Sequence, residues 1–574
     1  MALLSRMPER LAALGVLATL VLLLAVASSR VHSFDVFWQL HAGRYMLENA
    51  AVIRNDLFSL AHSVERWEHC WLHDILLYLV YLAGGYAGIS LLKGVLVAVT
   101  AAVTVRVARL RGASWLAVFI LMPAALYQTA GGWLERPQLW SFLCFALTLL
   151  AFELGALERS ARLWMLPVLM LFWVNLHAGA ILMLPLLLAG AAGQVFQRRK
   201  IMMKAGAGRC LMMVLLLVLG AAFLTPYGPK ALETVLPMVR VDQWQDLGIE
   251  RYLSNMDWRS TSFERMPEYY YAVAGALVLA FAGWRRLDLR SALLLVGLAL
   301  MGASLMRHTS FFYLGSAALL PPCLTEVGRR LSVKIRVFPS LRWVAWVGAA
   351  ALLLFLYRPL YKTYGFFDIG LRHWHYPVEA AEFVRKAALP GNLYNTYDWG
   401  GYLMWALYPE YLVFWDGRSS SEAIFREGLS IMKAEPGWER RLSRNGVNLV
   451  VTKACLVDTG QRYPIVDALR FSSDWALVFA DESSLVFVRR SAVSSDWLRS
   501  YELPDSRALD TILSEAQLLV RYGPQRVLGW LEIARIEAQR NRHAHSRAAL
   551  SQLLVRAPQA GSWPAVQRLI QQTR

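Results

Sequence analysis

The sequence predicts a polytopic α-helical membrane protein, followed by a small external α/β domain and a short helical-hairpin tail. Three observations predict it. The chain has 574 residues and is 57% hydrophobic, too apolar for a soluble protein of this length. Apolar runs long enough to cross a bilayer recur through roughly the first 360 positions, after which the composition becomes ordinary globular sequence. The basic residues gather in alternate connections between those runs, which is the charge pattern of a threaded membrane chain.

The expected spans run roughly 10–29, 86–105, 114–131, 138–156, 163–176, 179–197, 209–225, 269–284, 290–306, 308–323 and 342–357, about eleven in all. Arg6 and Arg10, Arg106 to Arg111, Arg198 to Lys204, Arg285 to Arg290, and Arg329 to Arg342 then fall on one side. That side is expected to be the cytoplasm, which places the N-terminus inside and residues 358–574 outside, in the periplasm of an inner-membrane protein. The apolar start is expected to be a first membrane helix rather than a cleaved leader. Two external connections are long, about 30–85 and 226–268. Inside the first, "WLHDILLYLVYL" (71–82) is too short to span and is expected to lie at the interface.

The formal net charge of +18 follows from this topology, and no basic patch interleaved with aromatics marks the soluble part, so no nucleic-acid partner is expected. The five cysteines form no CxxC. Cys70 and Cys455 are both expected outside the membrane, where a disulfide is chemically allowed.

Polar residues in the apolar runs are the functional signal. In "FWVNLHAGAILMLPLL" (172–187), Asn175 and His177 interrupt apolar sequence at the external end of a span. Arg136, Arg307 and His308 lie at external ends too, and Asp35 lies in the first external loop. Such groups cost several kcal/mol at membrane depth unless they are paired or line a wet cavity. One shared external cavity is the simplest account. Arginine and histidine hold phosphate, and a carboxylate serves as general base or metal partner. Together they suit a sugar donor carried on polyprenyl phosphate at the lipid–water boundary. Lys93, about 10 Å inside the second span, is within reach of such a phosphate or snorkels to the interface. His69 and His73, four residues apart, are spaced to share a metal but have no clear third ligand.

"FDVFWQLHAGRYMLENAAVIRNDLFSLAHSVERWEHCWLHDILLY" resembles the first external loop of bacterial integral-membrane glycosyltransferases of the C superfamily, the GT-C fold. There the stretch reads approximately D-x-x-W-H-L-x-x-G, D-x-F-S and W-x-x-x-E-W-L. "RP", "WVNLHAG" and "PYG" look like later motifs of the group, and the resemblance covers about 30–420. It implies that Asp35 is the catalytic base or metal partner, with Asp56 of "RNDLFS" as the second acidic candidate. Their placement at external ends makes Arg136, His177, Arg307 and Lys93 the candidates for the donor phosphate, with Asn175, His308 and His69 in support. Gln39 stands where relatives often have His, and Cys70 where they often have Glu, so a divalent metal ion is an open question.

After the membrane domain (1–357), residues 358–500 carry mixed signals. "PVEAAEFVRKAA" (377–388) has helical spacing, and "YLVFWDGR" (411–418), "NLVVTK" (448–453), "WALVFAD" (475–481) and "SLVFVRR" (484–490) are expected strands, the last two a hairpin. Asp398, Trp399, Tyr402, Asp416 and Arg418 are candidates for a glycan or acceptor groove, and a similar "DWGGYL…DGR" segment occurs in relatives. Residues 501–574 alternate helices and turns in the manner of a tetratricopeptide hairpin, a candidate surface for a protein partner. The function expected is transfer of a sugar from a polyprenyl-phosphate donor to a lipid, glycan or protein acceptor outside the cytoplasm, with membrane lipids around it. Two alternatives are a lipid-linked sugar transporter or flippase, and a non-catalytic assembly factor acting through the tail.

Overall fold

The computed structural model describes residues 2–60, 70–157, 162, 164–198, 207–228, 260–334, 357–358, 365–418, 422–523 and 525–573. The chain divides into two units. The first comprises Met1–Ser33, Ala42–Val52 and Glu68–Leu371; the second comprises Phe34–His41, Ile53–Trp67 and Arg372–Arg574.

The first unit is helical. Most of its elements follow the apolar runs: Ala2–Ala27, Trp71–Leu110, Trp115–Tyr127, Gln138–Glu153, Met165–Leu176, Met183–Arg198, Ala207–Ala222, Pro267–Ala282, Leu289–Ser304 and Thr309–Leu319; a further helix, Pro321–Lys334, takes up the expected basic connection. Among the described residues three stretches are long and apolar enough to cross a membrane, namely Glu9–Ala27, Trp71–Leu110 and Ala178–Phe196. Several of the other expected spans are shorter helices, such as Trp115–Tyr127 with 13 residues and Met165–Leu176 with 12. Local chemistry cuts them. His177 turns extended after Leu176, Gly155 takes a positive φ of 83°, and the Pro321-Pro322 pair follows Leu319. The expected span 342–356 and most of the loop 226–268 lie outside the described residues.

Residues 71–82 form a helical arm of their own ahead of the expected span 86–105. They open the 40-residue helix Trp71–Leu110, which is broken at Gly85 with φ 57° and ψ −150°. Only glycine adopts that conformation without strain. At 1.5 Å per residue the arm before Gly85 is about 20 Å long and the arm after it about 37 Å. The second arm alone has spanning length.

The second unit carries a four-stranded sheet in the order β1-β2-β4-β3, with β1 Asn392–Asn395, β2 Val447–Lys453, β3 Trp475–Ala480 and β4 Ser484–Arg489. β1 and β2 are parallel, and β3 and β4 form the expected antiparallel hairpin. The expected helix is present as Val378–Ala387. Residues 411–418 are not a strand of the sheet. Val413 bridges Ser59 instead, Leu60 N donates to Val413 O (2.9 Å), and the Asn395 side chain accepts from Phe414 N (3.0 Å). Partners from the first loop and from an asparagine have taken the backbone groups a sheet neighbour would need.

Helices Asp505–Tyr522, Val527–Gln539, His543–Arg556 and Pro564–Gln572 share one hydrophobic core with the sheet, in which Val450 and Phe487 join Ile512, Ala516, Leu531 and Leu553. The tail is therefore continuous with the α/β domain. Phe34 and Phe37, from the first loop, pack edge-on to Tyr376, and Phe37 also meets Tyr402, which explains why part of that loop belongs to this unit.

One buried acid in this core sets a pH dependence. Glu515 accepts from Cys455 N (2.7 Å), and burial pushes its carboxyl up to about 8. A carboxyl raised on folding favours the native state while it stays protonated. Its contribution is full below the unfolded value near 4.5 and is lost as the pH rises through about 8. Glu515→Gln is expected to remove that slope between pH 5 and 8, measured by thermal unfolding of wild type and variant side by side. A parallel decline in both would refute it.

Candidate functional site

The predicted site residues divide between the two units. Lys93, Arg136, Asn175, His177, Arg307 and His308 belong to the first; Asp35, Asp56, Asp398, Trp399, Tyr402, Asp416 and Arg418 belong to the second. His69 lies outside the described residues.

In the first unit, Arg136 and Arg307 are held by neighbouring segments. Pro137 caps helix Gln138–Glu153, and the Gln138 amide donates to Arg307 O (3.3 Å) in the 3-10 turn Met306–His308. Arg136 Nε donates to Ser33 Oγ (3.2 Å), and both arginines are half-buried. His177 closes helix Met165–Leu176 and joins the same helix Gln138–Glu153 through Ser141. Its Nδ1 lies 2.6 Å from Ser141 Oγ and accepts from Gly179 N (3.2 Å), while Trp173 Nε1 donates to Ser141 Oγ (2.7 Å). The Gly179 N–H can only donate, so Nδ1 is the acceptor of that bond.

Two of the predicted residues have side chains engaged within the protein. Lys93 is buried, and its ammonium donates to Glu135 Oε1 (2.6 Å) and Ser29 Oγ (2.8 Å). Glu135 Oε2 in turn accepts from His32 N (3.1 Å) and Ser33 N (3.0 Å). Lys93 is a brace at the start of the first loop. Glu135 was missed by sequence reading; the available signal was a carboxylate in apolar sequence, which needs a buried cation such as Lys93. Asn175 is also a brace. Its Oδ1 accepts from Trp71 Nε1 (2.7 Å), and its Nδ2 donates to Leu171 O (2.7 Å) and Leu224 O (2.9 Å). The odd asparagine in "FWVNLHAG" thus ties three segments, including the one that leads into the Thr225–Gly228 turn, "TPYG". His308 is half-buried in the turn that carries Arg307.

In the second unit, Asp35 begins helix Asp35–Asn49 and is half-buried, with Trp38 Nε1 donating to its Oδ1 at 3.4 Å. Asp56 differs. It is fully buried, accepts from Ser59 Oγ (2.6 Å) and Phe58 N (3.0 Å), and lies 3.2 Å from the Arg418 guanidinium. Burial pulls the Asp56 carboxyl up, but Arg418 and these hydrogen bonds hold it below the ordinary carboxylate range. Arg418 also takes Asp416, Nε to Oδ1 at 2.7 Å. Asp56, Asp416 and Arg418 therefore form a structural clamp, and the expected catalytic role for Asp56 and groove role for Asp416 and Arg418 do not fit their saturated, buried state. Tyr402 is packed between Phe37 and Tyr376.

Glycines explain the "DWGGYL…DGR" spacing. A Cβ at Gly400 would lie 2.1 Å from Trp415 O, one at Gly401 3.0 Å from Phe34 O, and one at Gly417 2.8 Å from Asp35 Oδ1. The two motif segments and the start of the Asp35 helix thus meet backbone to backbone. At Gly417 the obstacle is only a carboxylate end, so Gly417→Ala is expected to fold and to displace Asp35. Turnover should fall about tenfold or more with an unchanged melting temperature. Wild-type turnover would refute the contact's importance.

Asp398 follows β1 and Lys453 ends β2, so both sit at the carboxyl end of the parallel pair. Asp398 Oδ2 lies 3.9 Å from Lys453 Nζ. Burial, together with Asp458 and Asp35, raises the Asp398 carboxyl against the opposing pull of Lys453. Among the described residues no group of three His, Cys, Asp or Glu side chains converges. Cys70 and Cys455 are both free thiols.

No family model matches the sequence, and no curated protein matches it. Solved structures do. The oligosaccharyltransferase of Archaeoglobus fulgidus, determined with a tethered acceptor peptide, superposes with a TM-score of 0.53 at 9% identity, over 86% of this chain and 75% of that one. The mycobacterial arabinofuranosyltransferase AftD gives 0.49 at 13% identity, over 85% of this chain and 40% of that one. ArnT from Cupriavidus metallidurans bound to undecaprenyl phosphate gives 0.47 at 14%, over 84% and 98%. The chain shares its fold with the Archaeoglobus fulgidus oligosaccharyltransferase.

Proposed function

We propose that the chain transfers a sugar from a polyprenyl-phosphate donor to an acceptor on the external face of the inner membrane. Asp35 is the base. It takes the proton of the acceptor nucleophile as that atom attacks the anomeric carbon, and the bond from that carbon to the phosphate oxygen breaks. Arg136, Arg307 and His177 are the residues assigned to the charge that grows on the departing polyprenyl phosphate. The observation that carries this reading is the contrast between the two loop carboxylates. Asp35, at the motif position, is half-buried beside a glycine, whereas Asp56 is locked in a clamp.

The test is turnover in lipid nanodiscs. Wild-type protein is offered a panel of polyprenyl-phosphate sugars, and mass spectrometry follows donor loss and release of free polyprenyl phosphate. Release is the expected result. Donor left intact, or moved unaltered across proteoliposomes, would replace the transferase with a transporter.

A further inference from the structure

We propose that Lys453 and Asp398 form an acceptor subsite for hydroxyl groups of a neutral glycan, lined by an aromatic ledge of the second unit. The proposal rests on the transferase reading and adds the acceptor class to it.

Lys453 is 2% exposed. Its ammonium lies over the rings of Phe34 (4.7 Å) and Trp399 (5.4 Å), and its nearest carboxylate is Asp398 at 3.9 Å, beyond hydrogen-bond range. Among the described residues its three N–H groups reach no acceptor at hydrogen-bond distance. A buried ammonium held only by ring faces and one distant carboxylate is poorly compensated. The arrangement is met by a ligand oxygen that accepts from Lys453. Asp398, half-buried beside it, is an acceptor looking for a donor. A donor and an acceptor side by side are complementary to hydroxyl groups, each of which gives and takes a hydrogen bond.

The surroundings favour a neutral sugar over an anion. Asp398, Asp458 and Glu515 all act on Lys453 electrostatically, with Arg526 opposing, and Asp35 acts on Asp398. Glu515 is held protonated by burial, so the negative charge that opposes a phosphate or a uronic acid comes from Asp398 and Asp458. The ledge supplies the apolar part. Phe34 stacks on His375 (4.4 Å), His375 meets Trp374 edge-on (5.6 Å), and Trp374 stacks on the exposed Tyr522 (5.2 Å). Tyr522 is the exposed end of this series, and an exposed ring attracts the C–H side of a pyranose through its quadrupole. The location, beyond the carboxyl ends of two parallel strands, is where α/β sheets commonly place ligands.

The experiment is ligand-observed saturation-transfer NMR on the full chain in nanodiscs. The probes are mannotetraose and maltotetraose, a tetragalacturonate, and a serine-rich peptide. Donor consumption is measured on the same samples. We expect the neutral tetrasaccharides to bind, Lys453→Met and Asp398→Asn each to weaken that binding at least tenfold, and Lys453→Arg to keep most of it. Equal binding by Lys453→Met, or preference for the acidic glycan or the peptide, overturns the proposal. Wild type that consumes donor but binds no neutral glycan also overturns it, while the transferase reading survives. Glycan binding without donor consumption leaves the subsite and removes the transferase. Should Lys453→Met fail to fold, Asp398→Asn and Lys453→Arg still decide.

Discussion

Replacing Asp35 by Asn is expected to lower turnover by roughly 10²–10⁴-fold, the usual worth of a positioned general base. The substitution keeps the shape of the side chain and removes only its ability to take a proton. Trp38 Nε1 donates to Asp35 Oδ1, a bond that an amide oxygen accepts equally well, so the helix start should hold. Donor KM should change little, because the residues assigned to the phosphate are Arg136, His177 and Arg307. The expected signature is therefore a fall in kcat with donor affinity and melting temperature kept. It is measured by polyprenyl-phosphate release in nanodiscs across a donor titration. Equal kcat in both proteins would take Asp35 out of the chemistry. A rise in donor KM alone would make it a binding group.

The contrast between Asp35 and its neighbours shows which parts of the site could be read from the sequence. Helix positions were legible because apolar runs and their interruptions are local properties; the helix boundaries follow the runs within a few residues. The break at Gly85 falls between the expected short segment 71–82 and the expected span 86–105. Partner choice was not legible. Asn175, Lys93 and Asp56 each look, in sequence, like a polar group in search of a ligand. Each is satisfied by residues far along the chain: Trp71 and Leu224 for Asn175, Glu135 for Lys93, Arg418 for Asp56. Such pairings depend on tertiary approach, which local patterns do not encode. Lys453 shows the converse. At the end of "NLVVTK" it looks like an ordinary solvated strand end, yet it is among the most buried charges of the second unit.

Arg418→Met is expected to be the most destabilising single change in the second unit, at about 3–5 kcal/mol, the cost of removing one member of a buried ion pair. Methionine matches the length of the side chain but leaves two buried carboxylates, Asp56 and Asp416, facing each other without a cation. The first loop is attached to the unit at this point, where Leu60 N meets Val413 O and Asp56 meets Arg418. Loss of the arginine should therefore release residues 53–60 as well as lower the melting temperature. A double-variant comparison separates this from simple loss of packing. Asp56→Asn added to Arg418→Met removes one of the stranded charges, so the pair should be more stable than the sum of the two single changes predicts. Thermal unfolding of the four proteins measures the coupling, and limited proteolysis of the first loop measures its release. Additive effects would mean that the clamp is held by packing and that Asp56 does not depend on its guanidinium. The proposed chemistry also depends on this clamp. Gly417, against which Asp35 rests, lies between the two residues that form it, so the buried ion pair fixes the backbone on which the base is positioned.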